Sequence, residues 1–208
     1  MRKVEGGGLR EQNKARRRSL ILEATRALLR DGPDSVISTE RIAERAQVSP
    51  ATVYNLIGPR DKVWEALAAG FMDELERRLA VSGAGDPRDI VRSTVRLFAD
   101  DPVVSRRMVR EWQASGLVFD RSPLLQLRRT MADARTHGLL RADIDTDALA
   151  ATVAASCVGA LHQWVADLID DEQFLARSLF ALDVALAAAA SDPCRDQLLA
   201  PLRTRGTA

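Results

Sequence analysis

The sequence predicts an all-α fold, with a three-helix N-terminal domain carrying a helix-turn-helix and a larger C-terminal helical bundle, roughly nine helices in all. Two patterns carry this expectation. Apolar residues recur three and four positions apart along most of the chain, and nowhere alternate with period two for long enough to build a sheet. Breaker segments then cut the chain into helix-sized lengths: Asp31-Gly32-Pro33, Ser82-Gly83-Ala84-Gly85-Asp86-Pro87, Asp100-Asp101-Pro102 and His137-Gly138.

Taken in order, residues 1–13 hold Gly6-Gly7-Gly8 and are expected to form a flexible arm. A first helix over about 14–30 places Ile21, Ala24 and Leu28 on one stripe. Two short helices follow. Ser38 or Thr39 can cap the first, whose inward residues are Ile42 and Ala43. Ser49-Pro50 opens the second, because Ser caps free N–H groups and Pro suits the first helical position. A fourth helix from Arg60 to about Leu79 carries Val63, Leu67, Phe71 and Leu75, spaced four apart. Further helices are expected over about 87–99, 103–115, 123–137, from Asp145 or Asp147 to Leu168, and from Glu172 to about Ala190.

The segment from Ser38 to Trp64 is the most informative. Two short helices joined by a tight turn form a helix-turn-helix, whose second helix enters the DNA major groove. Val53, Leu56 and Ile57 stand three and four apart and should face the core, which turns Ala51, Thr52, Tyr54 and Asn55 outward. Asn can pair with adenine N6/N7, Ala and the Thr methyl can touch a thymine methyl, and Tyr suits a phosphate oxygen. Arg60, beside the free N–H groups of the next helix start, makes a further phosphate site. The expected DNA contacts are therefore Ser38, Thr39, Ser49, Pro50, Ala51, Thr52, Tyr54, Asn55 and Arg60.

Charge agrees. Residues 1–62 carry 13 Lys/Arg against 8 Asp/Glu, and the remainder 17 against 21. A basic front and a mildly acidic body suit a protein whose first part meets phosphates. Cys157 and Cys194 lie far apart, with no Cys or His partner at metal-ligand spacing, so neither a disulfide framework nor a metal site is expected. The two His residues, the lack of a nucleophile elbow and the lack of a phosphate loop give no catalytic residues and no cofactor. No uninterrupted apolar run approaches the roughly 18–20 residues of a membrane span, and the polar N-terminus lacks a signal-peptide core. A cytoplasmic protein without a membrane partner is expected.

The residues Ser19-Leu20-Ile21-Leu22-Glu23-Ala24, Ile42-Ala43, Val48 to Tyr54, and Arg60 together resemble the TetR family of bacterial transcriptional regulators. Gly138-Leu139-Leu140-Arg141-Ala142-Asp143-Ile144-Asp145 is similar to a recurrent junction in that family. The resemblance implies that helices one to three bind DNA, helices four to seven surround a ligand cavity, and the last two pair with a second subunit. Domains follow as 14–59 for DNA, 60–190 for effector and dimer, and 191–208 as a tail. Three positions depart from the pattern. Gln47 stands where Gly is usual, so a left-handed backbone there would cost about 1 kcal/mol. Leu56-Ile57 replaces an aromatic-rich pair, and Arg60 stands where Lys is usual.

In the body, Trp64, Phe71, Phe98, Met108, Trp112, Phe119, Met131, His162 and Trp164 are candidates for an apolar effector pocket. Residues 148–161 are small and apolar on more than one face. With Leu179, Leu182 and Leu186 they could build a four-helix bundle across a twofold axis. The partners so implied are a double-stranded operator with an inverted repeat, a small apolar effector and a second copy of the chain. A constitutive DNA-binding dimer and an activator remain alternatives.

Overall fold

The computed structural model describes residues 5–32, 37–82, 85–115 and 123–205. They form ten α-helices: α1 (Glu5–Asp31), α2 (Thr39–Arg45), α3 (Pro50–Leu56), α4 (Arg60–Ser82), α5 (Pro87–Ala99), α6 (Pro102–Ser115), α7 (Pro123–Thr136), α8 (Thr146–Val165), α9 (Asp171–Ala188) and α10 (Arg195–Arg205). A 3-10 turn, Asp192–Cys194, precedes α10, and no strand occurs among the described residues. The chain divides into two compact units, Met1–Phe71 with Asp101–Leu117, and Met72–Asp100 with Val118–Ala208.

In the first unit, α1 packs on α2, α3 and α6. Ile21, Ala24, Thr25, Leu28 and Leu29 are its buried stripe, and the Thr25 hydroxyl returns a hydrogen bond to Ile21 O at 2.8 Å. Arg30 ties α1 to α6 through Asp101, 2.7 Å away, and its guanidinium is held above its ordinary value by Asp101 and then Glu23. Helix α1 begins at Glu5, well before the expected residue 14, so the segment read as a flexible arm is helical from 5 onward, while residues 1–4 lie outside the described chain. Residues 9–18 are mostly strong helix formers with no Pro and no β-branched side chain. They sustain the helix past the Gly6-Gly7-Gly8 triplet, which falls in its first turn.

The second unit is built on α7, α8 and α9, with α5 against α7 and α9, and α10 against α9. Asp86 caps α5, and Pro87 occupies its first turn. Asp170 and Gln173 close a capping box on α9. Asp183, almost fully buried on α9, accepts a hydrogen bond from Arg88 Nε of α5 at 2.8 Å. Phe98, Trp164 and Phe174 form one aromatic cluster, with the Trp164 and Phe174 rings stacked at 5.5 Å and Trp164 Nε1 donating to Asp171 at 2.6 Å.

Between α7 and α8 the chain turns at Gly138, whose φ of +74° supplies the left-handed cap. Arg141 N then donates to Ala189 O at 2.9 Å, and Ser191 N to Leu139 O at 3.0 Å. The Ser191 hydroxyl adds a bond to Gly138 O at 2.6 Å. A single antiparallel bridge, Leu140 with Ala190, thus clasps the α7–α8 junction to the end of α9.

Two further expectations are amended. Residues 195–205 of the expected tail form α10, which buries Leu198 despite the internal Pro201. Ten α-helices replace the expected nine for that reason. Helix α8 is long and apolar enough to cross a membrane by length and composition, with mean hydropathy 1.3 over its best window, yet it holds no uninterrupted apolar run of that length. The scattered Thr, Ser, Gly and Cys residues interrupt a simple apolar count but lower mean hydropathy little. Cys157 and Cys194 are free thiols, and burial pushes the Cys157 thiol up.

Candidate nucleic-acid interface

The turn between α2 and α3 is built from local chemistry. The Ser38 hydroxyl accepts from Arg41 N at 3.3 Å and caps α2; Ser49 Oγ accepts from Thr52 N at 3.2 Å and caps α3. Thr39 is the first residue of α2, and Pro50 the first of α3. Gln47 adopts φ +54°, the left-handed conformation that a Gly would take without strain, and Val48 N reaches back to Ala43 O at 2.9 Å. Gly58, at φ +116°, makes the turn into α4; a Cβ there would sit 3.0 Å from Lys62 Cβ.

Packing fixes which face of α3 looks outward. Val53 is fully buried, together with Ile42 and Ala43 of α2. Leu56 and Ile57, expected as further anchors, are only half-buried, because α3 ends at Leu56. Arg18 of α1 supplies a tie that the sequence did not reveal: its Nη1 donates to Leu56 O at 3.1 Å and caps the end of α3. Nothing in a list of periodic apolar residues marks a cation that caps a helix 38 residues away.

Opposite Val53, Ala51, Tyr54 and Asn55 are exposed, Tyr54 to 61%, and Ser49 and Pro50 are exposed at the helix start. Thr52 is half-buried, and its hydroxyl lies 2.9 Å from Ser49 Oγ. Its methyl is therefore the group left for an apolar contact, as a hydroxyl paired to Ser49 has less to offer a base. Arg60 opens α4, half exposed, with Nη2 3.6 Å from Glu111 of α6. Glu111 also pairs with Arg107 at 2.9 Å. Glu40, in the first turn of α2, is held below the ordinary carboxylate value by its own backbone N–H and the Ser38 hydroxyl.

The expected pocket residues do not line one chamber. Trp64 and Met108 are buried in the first unit, where Phe71 is half-buried. Phe98 and Trp164 lie inside the aromatic cluster of the second unit, and Met131 is fully buried there. His162 is exposed on α8, so it is neither a core histidine nor a pocket one. The Trp112 side chain and Phe119 lie outside the described residues.

A cleft of about 150 Å³ does exist in the second unit, lined by Met72, Leu75, Glu76 and Leu79 of α4 and by Pro123, Leu125, Gln126 and Arg129 of α7. Of these, Met72 alone belongs to the apolar set that the sequence offers for a cavity; Leu residues at helical spacing look like ordinary core. Among the described residues no group of three His, Cys, Asp or Glu converges as a metal site.

The outer faces of α8 and α9 carry a second exposed surface. Ala151, Ala155, Val158 and Gly159 are exposed on α8, and Phe180 and Val184 on α9. Phe180 is 50% exposed, whereas Leu179, Leu182 and Leu186, expected to meet a partner, are buried. An added Cβ on Gly159 would meet nothing within 4 Å.

No family model matches the chain, and no curated protein matches it. Solved structures do. A Rhodococcus sp. protein assigned to the TetR family of transcriptional regulators aligns with TM-score 0.64 at 24% identity, over 83% of this chain and 99% of its own. SmeT, the repressor of the Stenotrophomonas maltophilia multidrug efflux pump SmeDEF, aligns with TM-score 0.61 at 26% identity, over 84% and 91%. The SmeT–triclosan complex aligns with TM-score 0.60 at 23% identity, over 85% and 92%. The resemblance read from the sequence is matched in the fold: an N-terminal helix-turn-helix followed by a helical bundle.

Proposed function

We propose that this chain, which has the fold of TetR-family regulators, is a transcriptional repressor of the cytoplasm that binds an inverted-repeat operator as a homodimer and leaves it when a small apolar effector binds. The observation that carries this reading is the outer face of α3, where Ala51, Tyr54 and Asn55 stand exposed over a buried Val53. A short helix anchored by an apolar side chain and presenting small and amide-bearing residues suits the width and chemistry of the major groove.

Roles follow from chemistry. Asn55 reads a base edge, Ala51 and the Thr52 methyl contact thymine methyls, and Tyr54 sets register on a phosphate. Ser38, Thr39, Ser49 and Pro50 bring the free N–H groups of two helix starts to the backbone, and Arg60 adds its cation. No residue is given a catalytic role. Residues 14–59 serve DNA, 60–190 serve effector and dimer, and 191–208 form the tail.

The dimer rests on the α8–α9 outer face. Val158, Phe180 and Val184, between about two-fifths and half exposed, flank the small residues Ala155 and Gly159, so a partner helix can approach closely. One α3 touches too few bases for useful specificity, whereas two copies about 34–36 Å apart, or a multiple, read an inverted repeat.

The effector enters the α4–α7 cleft, whose apolar wall of Met72, Leu75 and Leu79 is edged by Glu76 and Arg129. Its volume of about 150 Å³ is small for a ligand site, so filling it must part α4 from α7. Helix α4 is continuous from Arg60 to Ser82, so a shift at the cleft reaches Arg60. SmeT is a repressor and has been solved with triclosan, which supports this scheme. The packed Phe98–Trp164–Phe174 cluster favours a second reading, a constitutive dimer without effector.

Selection of bound duplexes from a random pool is the test. The expected result is one preferred half-site repeated in inverted orientation at fixed spacing. Absence of any enriched sequence overturns the regulator reading, and an enriched site without symmetry overturns the dimer.

A further inference from the structure

The described side chains of α1 fall into two stretches. Residues 10–20 are all exposed, whereas Ile21, Ala24, Thr25, Leu28 and Leu29 are buried. Counting back from Ile21 by four, three and four positions gives Arg17, Lys14 and Arg10. At about 3.6 residues per turn these share the side of the helix that farther along buries Ile21 and Leu28. The stripe that meets α2 and α3 therefore runs on toward the N-terminus as a row of cations.

Three facts give this row a direction and a partner. Residues 8–20 hold five Lys/Arg against one acid, Glu11. None of the ion pairs among the described residues involves Arg10, Lys14 or Arg17. Arg18, on the same side, touches the C-terminal end of α3, so the overhang begins beside the recognition helix. A helix polar on all sides gains nothing from packing, and four of its five cations, Arg10, Lys14, Arg17 and Arg18, lie toward the Ile21–Leu28 side, with Arg16 on the other.

We propose that Arg10, Lys14 and Arg17 form a phosphate-binding stripe that grips the duplex backbone flanking the half-site read by α3. This rests on the DNA-binding reading above. The contacts are charge to charge, so they add affinity and salt sensitivity without sequence preference. Arg16 points to the opposite side of α1 and serves as the control for loss of one charge away from the stripe.

The test compares wild type, Arg10→Gln/Lys14→Gln/Arg17→Gln and Arg16→Gln. Each is titrated with a duplex carrying the selected sequence and with a scrambled duplex, across a series of KCl concentrations. Circular dichroism and thermal melting check that the variants keep the fold. The triple variant should bind both duplexes about tenfold or more weakly at low salt. The slope of log K against log [KCl] should fall by about 2–3, since each lost phosphate contact removes about 0.9. Arg16→Gln should leave the slope within about 0.3 of wild type, well under one contact. A folded triple variant with wild-type slope, while wild type still prefers its selected sequence, overturns the stripe alone. So does an Arg16→Gln effect as large as one third of the triple. Wild type that ignores every duplex overturns the DNA reading as well. Loss of binding to phosphatidylserine vesicles with DNA slope intact would overturn the stripe in favour of a lipid surface.

Discussion

The outer face of α3 and the outer faces of α8 and α9 are both left uncovered by the chain's own packing, yet they are opposite in chemistry. On α3 the outward side chains are Ala51, Tyr54 and Asn55, with hydrogen-bonding groups carried on a rigid, capped helix. On α8 and α9 they include Ala151, Ala155, Val158, Gly159, Phe180 and Val184, which offer area and no side-chain hydrogen bonds, with polar groups such as His162 and Arg177 beside them. A polar ridge in water loses little by staying exposed and gains only where its groups find matching partners. An apolar face loses by staying exposed and gains from any surface that fits it. The first therefore suits a partner read by pattern, such as base edges, and the second a partner matched by shape, such as a copy of itself.

The sharpest way to break this contrast is to place charge on the apolar face. Phe180→Glu/Val184→Glu should convert a dimer to a monomer at micromolar concentration by sedimentation, while helicity is kept. Operator affinity should fall about 100-fold or more, on the order of 3 kcal/mol. A double variant that stays dimeric would show that another surface makes the contact. Next in size, Val53→Ala removes the buried anchor under the polar ridge. It should lower the stability of the helix-turn-helix by about 2 kcal/mol in denaturant titrations, with DNA affinity falling in parallel.

Changes on the ridge itself should be smaller and should differ from one another. Asn55→Ala should relax preference at one base position by about 1–3 kcal/mol, while Tyr54→Phe should weaken binding to all sequences alike. Equal loss on every duplex from Asn55→Ala would take that residue out of base reading. Gln47→Gly should raise the melting temperature, stabilising by up to about 1 kcal/mol, because the left-handed φ at 47 suits Gly. Glu40 gives the smallest effect. Its carboxyl is depressed in the folded state, so its contribution is present above the unfolded value and fades as pH falls through the folded one. Glu40→Gln should therefore lower the melting temperature slightly at pH 7, and the gap to wild type should close as pH falls below about 4.5, which flattens the acid limb of the profile.

The helix-turn-helix was legible because its signals are local. Ser49-Pro50 begins α3, and Val53 is buried, as spacing alone required. Even the strain at Gln47 could be foreseen as soon as that turn position was recognised. Helix starts in the body were equally local: Pro87 opens α5 and Asp145 caps α8. What could not be read was orientation where a helix is apolar on more than one side. On α9 the choice between Leu179-Leu182-Leu186 and Phe180-Val184 is a rotation of one residue, and both sets follow helical spacing. Aromatic residues misled for a related reason: Phe98 and Trp164 pack against Phe174 and fill space that a pocket would have needed. Sequence registers that a side chain is apolar and large, but not whether its neighbours close over it.

The small clasp at Leu140 and Ala190 has a kinetic consequence. It joins the chain just after α7 to the chain just after α9 through two main-chain bonds and one from Ser191. Neither strand of this miniature ladder can open without releasing the other, so the amide protons of Arg141 and Ser191 should exchange with deuterium at one common rate. Fraying from the far end of α10 would halt there, which makes that pair of residues the gatepost at which gradual loosening gives way to cooperative melting.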